Sequence, residues 1–272
     1  MKIWYQSMTN LPNWPGYQRV LHSVIDRAKE AGTEVEVHGM TKVGGIGDQF
    51  RYLEYLETAE LLDNVHQAID RGFDAFLIGN IGDPGLRAAR EVADIPVLGL
   101  CESSMHLACI MGASFSFITI NDKFTPRIVE NVTTYGLEKR FVGAHKMNIT
   151  RLHDLEGGFE NPQSKARILS DFEAAAESAD KAGAEVLIAA GGVVSGLLAH
   201  WQVSQSQCGI PILDGITSLV KMGEMAVKIQ SLTGRFISKR RLYAPPPLEQ
   251  IEELRKAYGN YIYPSVPGPG SR

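Results

Sequence analysis

The chain carries an internal repeat, and few architectures accommodate one of this kind. Gly-Phe-Asp-Ala-Phe-Leu-Ile at 72–78 is answered by Gly-Ala-Glu-Val-Leu-Ile-Ala at 183–189. Each copy runs into a turn, a helical stretch and an Ile-Pro-led apolar strand, IPVLGLCES (95–103) in the first half and IPILDGITS (210–218) in the second. Short continuous apolar strands of this sort are buried on both faces of a parallel sheet. The stretches between them have helical spacing, and alternation of strand with helix implies parallel sheets.

The remaining segments fit the same grammar. KIWYQ (2–6) reads as a strand, 17–31 as a helix, TEVEVHGM (33–40) as a strand, and Arg51 to Arg71 as a helix after a Gly-rich loop at 43–48. In the second half SFSFITIND (114–122) is a strand followed by a helix with Pro126 in its first turn, and RFVGAHKMN (140–148) is another strand. The predicted fold is α/β: two similar Rossmann- or flavodoxin-like lobes with parallel sheets, related by a pseudo-two-fold. Residues 1–113 plus 212–272 form the first lobe, the latter stretch carrying a C-terminal arm, and 114–211 form the second. Ligands collect outside the carboxyl ends of parallel strands. The active site is therefore expected in the cleft between the lobes, where Asn80 and Gly191 occupy matching points of the repeat.

Composition excludes several classes of function. With 272 residues, 44% apolar and a net charge of −4, the chain lacks the basic surplus that binds phosphate backbones. SKRR (238–241) is the densest basic patch, a size that more often caps or solvates a helix end than binds nucleic acid. No apolar run reaches the roughly 20 residues of a membrane span, and MKIWYQSMTN does not read as a signal peptide. Cys101, Cys109 and Cys208 are odd in number and lack metal-type spacing, so free thiols in a cytoplasmic protein are expected. The histidines have no metal-type spacing either, and GGIG (44–47) is no dinucleotide fingerprint. No nucleic-acid, membrane, metal or cofactor partner is expected.

The lobes, together with GNIGDPGLRAARE (79–91), IPVLGLCESS (95–104), GASFSFITIND (112–122) and IPILDG (210–215), resemble the aspartate/glutamate racemase superfamily, most closely its hydantoin racemase branch. The likeness runs from about residue 1 to 235. It implies a cofactor-free reaction in which two cysteines face each other across the cleft. One thiolate would remove the proton beside a carboxylate or amide carbonyl, and the other thiol would return a proton to the opposite face. By the same resemblance the two cysteine positions fall on Asn80 and Gly191, so the two-thiol route is absent. YQSMTN (5–10) also replaces the family's usual Asn-Pro-Asn-type turn.

Other groups then become candidates. Asn80 can donate to an oxyanion, and Gly191 with Gly192 can present amides to an anion, or both can be turn formers. Cys101, beside a helix start, is read either as a reactive thiol of depressed pKa or as a small buried side chain. Glu102 is read as a capping carboxylate or, if desolvated, the general base. Asp83 before Pro84 reads as the N-cap of its own helix, its carboxylate held by backbone amides. Substrate contacts are expected from Gln6, Asp48, Gly79, Ile81, Thr119, Asn121, Gly192 and Val193. The expected function is a cofactor-independent enzyme acting on a small carboxylate or cyclic amide. Hydrolysis of an amide or imide, decarboxylation or another C–C cleavage, and non-catalytic binding are the alternatives. A homo-oligomer is expected; the arm with Tyr258, Tyr261 and Tyr263 is read as packing on a neighbouring subunit or as a disordered terminus.

Overall fold

The computed structural model describes residues 1–45 and 50–258. Asp48, Tyr261 and Tyr263 lie outside the described residues. Two parallel four-stranded sheets carry the fold. The first, ordered β2-β1-β3-β4, contains β1 (Lys2–Gln6), β2 (Glu34–His38), β3 (Ala75–Ile78) and β4 (Val97–Gly99). The second, ordered β6-β5-β7-β8, contains β5 (Phe115–Thr119), β6 (Phe141–Lys146), β7 (Val186–Ala189) and β8 (Ile212–Leu213). The two orders are the same pattern, as the repeat predicts. β8 pairs with β7, Leu187 opposite Ile212 and Ile188 opposite Leu213.

Helices follow the strands: α1 (Pro15–Ala28), α2 (Arg51–Asp70), α3 (Leu86–Val92), α4 (Leu100–Met111), α5 (Thr125–Thr134), α6 (Pro162–Lys181), α7 (Gly192–Trp201), α8 (Gly215–Thr233) and α9 (Leu248–Tyr258). α1 starts two residues before the expected Tyr17 because Pro15 supplies its first-turn φ, and it buries Tyr17, Val20, Leu21, Val24 and Ile25 at helical spacing. Helices α1, α4, α7 and α8 pack between the sheets. One apolar core runs through this seam, from Ile3, Tyr5 and Leu77 of the first sheet to Phe117, Ile188 and Leu213 of the second. A smaller core around Trp4, Phe76 and Ile78 lies on the outer face of the first sheet. Among the described residues no helix is long and apolar enough to cross a membrane.

Two helix starts depart from the sequence reading, for one shared reason. α3 begins at Leu86, after Gly85 with φ 67°, and Asp83 itself has φ 49°, so Asp83 does not cap its own helix. Its carboxylate instead accepts the amides of Cys101 (2.9 Å) and Glu102 (2.8 Å). That external cap lets α4 begin at Leu100, directly at the end of β4, where the sequence alone suggests a helix from 103 to 111.

Candidate active site at the meeting of two strand-end turns

The turn after β3 and the start of α7 come together in the seam. A Cβ built on Gly192 would lie 3.3 Å from the Gly79 carbonyl oxygen and 2.6 Å from the Tyr17 hydroxyl. A Cβ on Gly79 would lie 2.5 Å from the Tyr5 hydroxyl. Glycine at both places is therefore what permits the approach. Tyr5 is fully buried, and its hydroxyl has no hydrogen-bond partner among the described residues. Gly191, with φ 145°, precedes α7, and a Cβ there would meet nothing closer than Val194 at 4.0 Å. Its own amide bonds to the Ala189 carbonyl (3.0 Å), and the first-turn amides of α7, from Gly192 on, have no acceptor within the helix. Val193 keeps its side chain in the core.

Asn80 is nearly buried, and its Oδ1 accepts the Gly82 amide (2.7 Å) while its carbonyl accepts the Asp83 amide (3.0 Å). The side chain thus builds the turn through an Asx contact. The turn is also held from the opposite lobe. Asn131 Nδ2 donates to the carbonyls of Ile81 (3.2 Å) and Gly82 (3.3 Å), and Arg127 donates to the Gly82 carbonyl. Tyr135 donates to Asp83 Oδ2 (2.8 Å), and Arg127 also pairs with Glu54 of α2 (2.9 Å). Burial pushes the Asp83 carboxyl up to about 7 despite three donors directed at it.

Several sequence candidates have other work. Cys101 is fully buried, and burial, with Asp83 beside it, pushes the thiol well above its ordinary value. The burial matches the small buried side chain of the two sequence readings, and the direction of the shift is opposite to that of a thiol activated by a helix start. Glu102 is clasped by the Arg90 guanidinium, with the Arg90 Nη1 contact at 3.0 Å, and Arg90 in turn meets the Tyr243 hydroxyl at 3.3 Å. In this arrangement it is an ion-pair partner of Arg90. Gln6 is fully buried, accepts from Trp4 (3.0 Å) and Asn64 (2.9 Å), and donates to the Ser7 carbonyl (2.9 Å). These partners hold it inside the first lobe. Asn121 caps the loop before α5, accepting the Phe124 amide (3.0 Å) and donating to the Ile149 carbonyl (2.8 Å). Thr119, at the end of β5, is buried with its hydroxyl 2.6 Å from that of Thr125.

Sequence reasoning missed Tyr5, Tyr17, Arg127, Asn131 and Tyr135. The last three sit at i, i+4 and i+8, a spacing that puts polar groups on one helix face and was readable in TPRIVENVTTY (125–135). At the same strand-end edge, where the Gly45 amide bonds to the Met8 carbonyl, a hollow of about 520 Å³ is lined by Asn13, Trp14, Lys42, Gly44, Gly45 and His153. A separate groove of about 430 Å³ between α1, α7 and the start of α8 is lined by neither turn.

Strands, turns and seam define a two-lobed α/β protein whose two strand-end turns meet across the lobes. The family model described as Asp/Glu/Hydantoin racemase matches residues 13–223. A hydantoin racemase of Pseudomonas sp. (strain NS671) is 32% identical over 219 residues, 80% of this chain and 82% of that protein. A hydantoin racemase of Rhizobium meliloti is 34% identical over 195 residues, 71% and 75% of the respective lengths. Allantoin racemase from Pseudomonas fluorescens superposes with a TM-score of 0.74 at 22% identity, covering 91% of this chain and 97% of its own. The chain belongs to the Asp/Glu/hydantoin racemase family.

Proposed function

We propose that the chain is a cofactor-independent enzyme that binds a small carboxylate or cyclic amide in the inter-lobe cleft and stabilises an oxyanion or enolate there. The substrate class follows the hydantoin and allantoin for which its relatives are named. The observation that carries the reading is the close approach of the Gly79 carbonyl, at the peptide shared with Asn80, to Gly192 at the start of α7. Pre-oriented donors such as helix-start amides act where negative charge develops. Neither turn contains a cysteine and Cys101 is buried, which supports a route without a pair of opposed thiols. That lack favours a second reading in the same cleft, a one-sided hydrolysis or C–C cleavage that needs a single base or an activated water.

Enantiopure 5-methylhydantoin and allantoin, incubated with the enzyme in deuterium oxide, separate these readings by NMR and polarimetry. Deuterium entering beside the carbonyl with loss of rotation marks racemisation, and a new carboxylate marks hydrolysis. Asn80→Ala should lower turnover at least tenfold. Asn80→Asp keeps an acceptor for the Gly82 amide but places a carboxylate beside the oxyanion, so it should lose turnover as well. Full turnover in Asn80→Asp would reduce Asn80 to a turn former. Absence of both exchange and binding for these compounds would overturn the proposal.

A further inference from the structure

Arg127, Asn131 and Tyr135 lie on one face of the α5 region, and all three reach across to the first lobe at the same short turn. Between them they take the carbonyls of Ile81 and Gly82 and the carboxylate of Asp83. Asn131 also accepts from Arg127 (2.9 Å), and Arg87 of α3 donates back to the Thr134 carbonyl (3.3 Å), so the contact is braced from both sides. The orientation of these peptides fixes where Asn80 points, because Asn80 closes its turn through the Gly82 amide.

We infer that Arg127, Asn131 and Tyr135 are positioning residues that shape the Asn80 turn from the second lobe, with Asp83 making their grip sensitive to pH. The inference rests on the reading of the Asn80 turn as a cleft wall. Three donors converge on Asp83: the amides of Cys101 and Glu102 and the Tyr135 hydroxyl. Ionised, the carboxylate satisfies all three. Protonated, one oxygen becomes a donor that needs an acceptor of its own, while all three neighbours are placed as donors. Two of them are fixed amides in α4, so the rotatable Tyr135 hydroxyl is the contact that changes. The charged and titratable groups facing Asp83 are the Glu102 carboxylate and Cys101 thiol on α4 and, on the α5 side, Arg127 and Tyr135. Glu102 is itself neutralised by Arg90. Burial raises the Asp83 carboxyl to about 7, which puts the change near neutral pH.

The test uses the full-length ¹⁵N-labelled chain and needs no substrate. The amide resonances of Asn80, Ile81 and Gly82 should titrate together with a midpoint near 7. Tyr135→Phe removes a donor that favours the ionised carboxylate, so the midpoint should move to higher pH. Asp83→Asn should abolish the titration. Asn131→Leu should shift the same resonances at fixed pH and, where 5-methylhydantoin is turned over, lower kcat at least tenfold with a smaller change in KM. Should Asn131→Leu fail to fold, Tyr135→Phe, which loses only a hydroxyl, still decides. Flat resonances in the parent chain, or an unmoved midpoint in Tyr135→Phe, would overturn the inference even if Asn80→Ala abolished turnover. A chain that turns over nothing but shows the shifted midpoint would keep the latch and remove the proposed activity.

Discussion

Asn80 shows how one residue can make two contacts at once: its Oδ1 closes the loop through Gly82, and the peptide it shares with Gly79 abuts α7. The cysteines divide the other way. Cys208 is exposed, its sulfur 3.2 Å from the Ser206 hydroxyl, whereas Cys101 is fully buried with its pKa pushed up by burial. Iodoacetamide at pH 8 should therefore label Cys208 at least a hundredfold faster than Cys101, read by peptide mass spectrometry, and turnover should survive full labelling of Cys208. Rapid labelling of Cys101 with loss of turnover would restore it as a candidate catalytic thiol. The sequence made the strand ends legible because an apolar run stopping at Gly-Asn or Ala-Gly is local information. It predicted that amides hold the Asp83 carboxylate, but the donors belong to α4, 18 and 19 residues away. The partners of Gln6 and Asn121 were hidden for the same reason: Asn64 and Ile149 stand 58 and 28 positions along the chain, beyond the reach of spacing rules.

Among the helices, ends rather than middles depart from the pattern in the sequence, because caps arrive from elsewhere. α3 is the second instance. Its last carbonyls are taken by Lys239, whose Nζ donates to Arg90 (3.1 Å) and Ala93 (3.1 Å) and also to Glu91. The basic patch at 238–241 thus includes a helix cap, the use its size suggested. Two residues on, Tyr243 meets Arg90 and steadies the guanidinium that holds Glu102. The segment after α8 therefore straps α3 to α4, and both flank the Asp83 cap. Lys239→Met keeps the aliphatic stem but removes the charge and the donors from three carbonyls. It should cost about 1–3 kcal/mol, measured by urea unfolding, while an exposed control such as Lys181→Met should leave the unfolding midpoint nearly unchanged. Equal effects would mean that the strap does not hold α3.

The two lobes repeat one pattern, yet they do not stand as two separate cores. The main core crosses the seam, and the lobes exchange caps: Glu156, from the 3-10 segment Leu152–Phe159 of the second lobe, accepts the amides of Gly16 and Tyr17 at the start of α1. α5 returns the contact by gripping the turn after β3. Asp83 sits where this exchange meets α4, and its titration should appear in the stability of the whole molecule. Its folded pKa is about 7 against an ordinary value of 3.8, so the folded chain retains a proton that the unfolded chain releases. The contribution of Asp83 is therefore fully present below about pH 4, declines as pH rises, and is lost above about 7, a difference on the order of 4 kcal/mol. His38 and His145 pull the other way, because burial lowers both below 6.5, and their contribution grows as pH rises through that range. Comparison with Asp83→Asn cancels the histidines and isolates the carboxyl. Unfolding by urea between pH 5 and 8 should show the parent chain losing stability with rising pH more steeply than Asp83→Asn, by at least ~1.5 kcal/mol across the interval. Parallel slopes in the two proteins would mean that Asp83 ionises as freely in the fold as in the open chain, and that a carboxyl buried at the junction of the lobes carries no proton linkage at all.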